Sequence, residues 1–368
     1  MGMPNLARVE AIHVRVPFRR PLLDATGEYT HRRVWLLRLV DRDGRQGVGE
    51  AAPNPVADDT TTGALAGLMR ELVPALAAGR WPEFAELAAQ GEPGRAAMAA
   101  IEGAAGALGA AGRADGRAAG RPNSSPSAAV AVSATLAFGG PDAAAEAGAQ
   151  AIELGFRTLE LRAGYERTTD QLVERLRALR AAVGSEPNLR IDAGGAWDLD
   201  TATERLTEIA PYRIEFVAQP LAAWNLTGHA ALRDRTRVPI ALDQSIDSEG
   251  SAREALAEGA AHVLIVKPAR AGGAAATLRI AQAAAAAHVH VVLATYFETG
   301  VGIAAALRIA ASLPGRGETA HALATAGLLV HDLLAEPISI QYGRMTVPES
   351  LELDEREVNR YSIERIRV

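Results

Sequence analysis

From residue 129 onward the chain repeats one unit. Short apolar runs stand at Ala129–Leu136, Thr158–Leu161, Leu189–Ile191, Ile214–Val217, Ile240–Leu242, Val263–Val266 and Val289–Leu293. Amphipathic or alanine-rich stretches with helical periodicity separate them, among them Asp142–Leu154, Thr168–Val183, Thr201–Ile209 and Ala274–Ala287. Strands that alternate with helices imply right-handed βαβ crossovers and a parallel sheet. Units of about 25 residues, with a weaker eighth run at His321–Thr325, predict a closed (β/α) barrel rather than an open sheet.

The residues before that repeat have a different texture. Three antiparallel strands are predicted at Val9–Val16, Val34–Asp41 and Gly47–Ala52, the last two joined by the tight turn Asp41-Arg-Asp-Gly44. Gly47-Val-Gly49 resembles part of a dinucleotide fingerprint, but Pro53-Asn54-Pro55 follows it where a helix is required, so it reads as a hairpin strand of small residues. Pro17–Arg33 reads as a long polar loop, which makes His31 and Tyr29 substrate-contact candidates. Helices follow, with Leu65, Leu68, Met69, Leu72 and Leu76 on one face and a second helical run over Arg95–Leu108. Residues 111–126 are rich in Gly, Ser and Pro and mark the way out of this region. The expected organisation is an α+β capping domain over 1–125, the barrel over 126–335, and a C-terminal segment, 336–368, returning to the cap. The strand-like pieces Ile338–Tyr342 and Met345–Val347 belong to that last segment.

Composition narrows the partners. A net charge of −6 gives no basic surface for nucleic acid. The chain has no cysteine, which rules out disulfides and thiolate chemistry. Its first residues lack the apolar core of a signal peptide, and Ala283–Phe297, the most apolar long run, is too short to span a bilayer and is interrupted by His288 and His290. A cytoplasmic protein with no membrane partner is the expectation.

Barrel strands deliver their carboxyl-terminal residues to one mouth, where such folds do their chemistry. Those ends read Glu160 and Arg162, Asp192, Ala218-Gln219-Pro220, Asp243-Gln244, Lys267 and Glu298. Lys267 is the only lysine in the chain. Arginine stays protonated, whereas a buried amine trades a proton, so a single retained lysine at a strand end is a candidate acid/base. Asp192 and Asp243 bring two carboxylates from non-adjacent strands, the hard oxygen ligands a magnesium ion requires. Each taken alone also suits a helix N-cap. Gly300-Val-Gly302 opens a helix whose N–H groups could hold a carboxylate, or it serves close strand–helix packing.

Gly155-Phe-Arg-Thr-Leu-Glu-Leu-Arg162, Arg190-Ile-Asp-Ala-Gly-Gly-Ala-Trp197, Glu215-Phe-Val-Ala-Gln-Pro220, Pro239-Ile-Ala-Leu-Asp-Gln-Ser245 and Val266-Lys-Pro-Ala-Arg-Ala-Gly-Gly273 resemble successive barrel motifs of the enolase superfamily. The likeness is to its muconate-lactonizing subgroup, with the o-succinylbenzoate synthases and acylamino-acid racemases, and it covers nearly the whole chain. Phe297-Glu-Thr-Gly-Val-Gly302 and Ala320–Leu329 are similar to its last two strand ends. The resemblance implies a lyase or isomerase acting on a small carboxylate, a homo-oligomer, and magnesium held by Asp, Glu and Asp on the third, fourth and fifth barrel strands. It also implies a Lys-x-Lys pair on the second strand. Substrate contacts fall to His31 and Asn54 in the cap and to Glu298, Thr299 and Gly300.

This chain departs from that pattern where the chemistry sits. The Lys-x-Lys positions are Glu160 and Arg162, and the metal triad is Asp192, Ala218 and Asp243. Gly194 replaces the asparagine after the first aspartate, and Gln244, a possible fourth oxygen, replaces an acid. Arg162 cannot take an α-proton. Ala218 removes one carboxylate, which should weaken magnesium binding, so the cofactor is magnesium or none. The reading is an enzyme with Lys267, Arg162 and Glu160 as the catalytic set, in which Arg162 pairs with Asp192 and Asp243 in place of the ion. The alternative is a catalytically silent relative that binds a ligand or serves a regulatory role.

Overall fold

The computed structural model describes residues 5–24, 27–55, 59–111, 128–136, 139–313 and 319–368. The stretch 112–126, most of the segment read as a way out of the cap, lies outside them.

The first three strands are β1 (Leu6–Asp24), β2 (Gly27–Asp41) and β3 (Gln46–Ala51). Pro17–Arg33 is not a loop. β1 and β2 pair as one long antiparallel hairpin in which Pro17 meets His31 and Leu22 meets Tyr29. The polar side chains that suggested a loop lie on a ribbon whose outer face is solvated, so its polarity does not prevent pairing. β3 adds to β2 and lies against the helix Gly91–Ala111. Gly49 permits this approach, because a Cβ there would overlap the carbonyl oxygen of Ala100 and the amide of Ala104. The cap core gathers Val9, Trp35, Leu37 and Leu39 from the sheet and Leu65, Met69, Leu72, Leu76 and Ile101 from the helices.

The run Ala129–Leu136 divides into β4 (Ala129–Ala131) and β5 (Ala134–Leu136). β6 (Thr158–Arg162), β7 (Asn188–Asp192), β8 (Ile214–Ala218), β9 (Ile240–Leu242), β10 (Val263–Val266) and β11 (His290–Leu293) follow. With β5 they form one parallel sheet of seven strands in sequence order. The eighth run closes the barrel without forming a strand: His321 bridges Val132, and Ala322 bridges Ala294. Side chains alternate along each strand. Leu159, Leu161, Leu189 and Ile191 face the surrounding helices, whereas Phe216, Ala218, Ala241, Val263, Ile265, Val292 and Ala294 fill the interior with mostly small groups.

The tail divides between the two parts of the molecule. β12 (Ile340–Gln341) and β13 (Arg344–Thr346) form from the expected pieces, but they pair with β4 rather than with the cap. Among the tail strands, β14 (Ser362–Arg367) reaches the cap, antiparallel to β1, and the helix Glu355–Tyr361 before it packs Val358 against the same sheet. A hairpin of two or three residues per strand is too short to cross the molecule, and β4 offers the nearest open edge. No helix among the described residues is long and apolar enough to cross a membrane.

Candidate active site

Strand register lays out the mouth. Arg162, Asp192 and Ala218 are direct neighbours on β6, β7 and β8, and Ala241 on β9 continues the row. Asp243 stands just beyond β9 and Lys267 just beyond β10. Read around the rim, the order is cation, acid, alanine, acid, cation.

Each acid is closed by the cation on its outer side. Arg162 Nη2 donates to Asp192 Oδ2 at 3.1 Å, and the other oxygen, Asp192 Oδ1, accepts the Gly194 N–H at 3.0 Å. Lys267 Nζ forms an ion pair with Asp243 Oδ1, and its nitrogen lies 5.1 Å from the Tyr296 ring centre. Ala218 between them is 2% exposed and offers a methyl group. Glu160 points into the barrel on the same face as Arg162, one layer deeper. Burial, then the nearby Asp192, pushes its carboxyl up to about 7, while Arg190 and Arg162 pull the other way. Arg162 keeps its proton firmly: burial favours losing it, but Asp192 and Glu160 outweigh burial and raise its pKa.

Neighbouring groups set these positions. Arg175 donates to the backbone carbonyl of Arg162 at 2.9 Å and is itself paired with the buried Glu166. Gln219, fully buried with φ +44°, accepts the Asp243 N–H at 2.9 Å and the Ser245 N–H at 3.2 Å. Gln219 therefore aims the β9 exit that carries Asp243. The Gln244 Oε1 atom is buried without a hydrogen-bond partner.

The residues present do not fit a divalent ion. Both aspartates are engaged by the chain's own cations, Asp192 has its second oxygen on a backbone N–H, and the third position carries no oxygen. Among the described residues, no group of three His, Asp or Glu is arranged to hold a metal. A divalent ion needs about six oxygen ligands, several of them charged.

The expected substrate contacts divide differently. Thr299 and Gly300 are not open to a ligand anion. The Thr299 N–H donates to Glu50 Oε1 at 3.1 Å and its hydroxyl to Glu50 Oε2 at 2.6 Å; the Gly302 N–H donates to Glu50 Oε2 at 2.9 Å. Gly300 N–H donates to Asp332 at 2.8 Å. That helix start does bind carboxylates, but they are the protein's own. Glu298 is buried beside them, and burial raises its pKa against the pull of Arg32 and Lys267. Glu50 is raised to about 8 by burial and by Glu298. Glu50 was missed in the sequence; an acid within a strand of Gly, Val and Ala was the available signal. His31 belongs to the cap ribbon, its Nδ1 2.8 Å from Thr30 Oγ1 and 3.3 Å from Arg15 Nη2. Asn54 gives its backbone N–H to Glu92. His321 belongs to the barrel seam rather than the mouth, where its Nδ1 accepts the Leu293 N–H at 3.0 Å.

A family model described as enolase C-terminal domain-like matches residues 142–356. The chain belongs to that family, and its lyase and isomerase relatives share the barrel. Among them, an o-succinylbenzoate synthase of Thermobifida fusca is 36% identical over 59% of this chain and 66% of its own. An L-Ala-D/L-Glu epimerase of Clostridium acetobutylicum is 31% identical over 48% of this chain and 50% of its own. The chain thus spans between half and two thirds of the length of these curated relatives. A solved structure described as a probable mandelate racemase from Alicyclobacillus acidocaldarius superposes over 99% of both chains, with a TM-score of 0.80 at 28% identity.

Proposed function

We propose that this protein binds a small carboxylate at the barrel mouth and moves a proton at the adjacent carbon through Lys267, without a divalent ion. The single observation that carries the reading is the pairing of the two remaining family aspartates with Arg162 and Lys267. In the step envisaged, the Lys267 ammonium first leaves its proton on the paired Asp243 carboxylate. The amine so formed takes the α-proton, the electron pair spreads onto the substrate carboxylate, and the resulting ammonium returns a proton to the same carbon. Asp243 then gives its proton back. Arg162 serves as the fixed cation that offsets the charge developing on the carboxylate oxygens. Glu160, partly buried below Arg162, adjusts the net charge of the site by holding or releasing its proton. The curated relatives are named for epimerising an Ala-Glu dipeptide and for synthesis of o-succinylbenzoate, which supports a carboxylate ligand here.

The test is α-proton exchange in deuterium oxide, followed by proton NMR, with succinylbenzoate-type acids, acylamino acids and dipeptides. The protein is used with chelator present throughout. Exchange that falls at least about 100-fold in Lys267→Met, with the melting temperature retained, supports the reading. Exchange unchanged in that variant sinks it.

A second reading rests on the same ion pairs: two closed pairs make a low-turnover site, suited to a ligand-binding member of the family. Thermal stabilisation by one of these carboxylates, with no exchange, would favour it.

A further inference from the structure

Around the mouth, five consecutive positions alternate in a way a metal site does not. Arg162 is followed by Asp192, Ala218, Asp243 and Lys267, on or just beyond five successive strands. Gln219 fixes the Asp243 backbone, and Arg175 fixes the Arg162 carbonyl. What differs is the charge placed between the acids. The family pattern has three carboxylates around a divalent ion; this chain has two carboxylates, each with a monovalent organic cation beside it.

We propose that Arg162 beside Asp192, together with Lys267 beside Asp243, replaces the divalent ion as countercharge, and that two substitutions, one on β6 and one on β8, reverse the replacement. A guanidinium nitrogen at 3.1 Å already occupies Asp192 Oδ2. The methyl group of Ala218 lies between the acids where a third oxygen is needed, so the remaining ligands supply too little charge. Finally, two acids without a central cation would repel each other, and Arg162 beside Asp192 with Lys267 beside Asp243 offsets this repulsion. Ala218→Glu returns the missing oxygen ligand. Arg162→Lys withdraws the planar fork from Asp192 while keeping a side chain of similar length.

This inference shares with the proposed function the view that no divalent ion serves the native site, yet its readout is metal binding and not turnover. The full chain, treated with chelator and dialysed, is titrated with Mn2+ and followed by electron paramagnetic resonance. The native protein should show no stoichiometric site, and the Ala218→Glu, Arg162→Lys double variant should bind one Mn2+ per chain about 10–100-fold more tightly. Adding Asp192→Asn to the double variant should abolish that gain. If the double variant does not fold, Arg162→Met alone should still bind Mn2+ more tightly than the native chain. Tight stoichiometric binding by the native protein overturns the inference. So does a folded double variant that binds no better than native. In either case the chelated exchange assay on Lys267→Met still decides the proposed function separately.

Discussion

Arg162 and Asp192 sit side by side on adjacent parallel strands, with guanidinium nitrogen and carboxylate oxygen 3.1 Å apart. The pair is partly shielded, the two side chains being 29% and 11% exposed. It is the point where the charge design of this site differs from the one its motifs suggest.

Removing one partner should therefore cost more than a surface pair would. Arg162→Ala is expected to lower unfolding free energy by about 2 kcal/mol, less than the ~3–5 kcal/mol of a fully buried pair because solvent reaches the guanidinium. A double-mutant cycle with Asp192→Asn in urea should return a coupling of about 1–2 kcal/mol. A coupling near zero would mean the two charges do not hold each other.

The cap–barrel junction should make stability fall toward alkaline pH. Glu50 has its folded pKa raised to about 8 from an ordinary 4.5, so the folded state holds this proton more tightly than the unfolded chain. Its contribution is full below about pH 4.5 and is lost as pH rises to about 8, with a slope of at most about 1.4 kcal/mol per unit. Glu298→Gln removes the neighbouring negative charge and should flatten that fall. Melting temperatures of both proteins between pH 5 and pH 9 check the difference.

His321 acts with the opposite sign. Burial, then Arg190, lowers its pKa from 6.5 to about 4, so the unfolded chain binds this proton more readily. Its contribution is present above about pH 6.5 and is lost as pH falls to about 4. His321→Asn keeps an oxygen that can accept the Leu293 N–H and should lessen the acid sensitivity of the barrel. Chemical denaturation at pH 4.5 and pH 7 would measure it, and an unchanged ratio would rule out this role.

Gly49→Ala should damage the cap more than any nearby surface change. The added methyl group would overlap the backbone of the helix Gly91–Ala111 at Ala100 and Ala104, and backbone cannot move aside cheaply. A loss above about 3 kcal/mol is expected, with the Gly44→Asn turn variant as the tolerant control, since Gly44 faces open space at φ +80° and asparagine accepts that conformation. Thermal melts of the two variants provide the comparison.

The sequence by itself determined the parts that rest on local periodicity. Apolar runs such as Val263–Val266 and Ile240–Leu242 end in the structure where their residues change character, because a strand buried among helices must be apolar until it reaches the mouth. The same logic placed Arg162, Asp192, Asp243 and Lys267 at one rim, and the loss of an acid at Ala218 was legible in a single motif. Only the tertiary structure decided which cation closes which acid, since that depends on register between strands: Arg162 to Asp192 and Lys267 to Asp243. It also decided that the glycine-containing helix start near Gly300 is filled by Glu50, 249 residues before Thr299 in the chain, and by Asp332. No local pattern encodes that meeting. It follows from the cap packing its third strand against the barrel mouth, which gives a buried carboxyl the free N–H groups of a helix start instead of water.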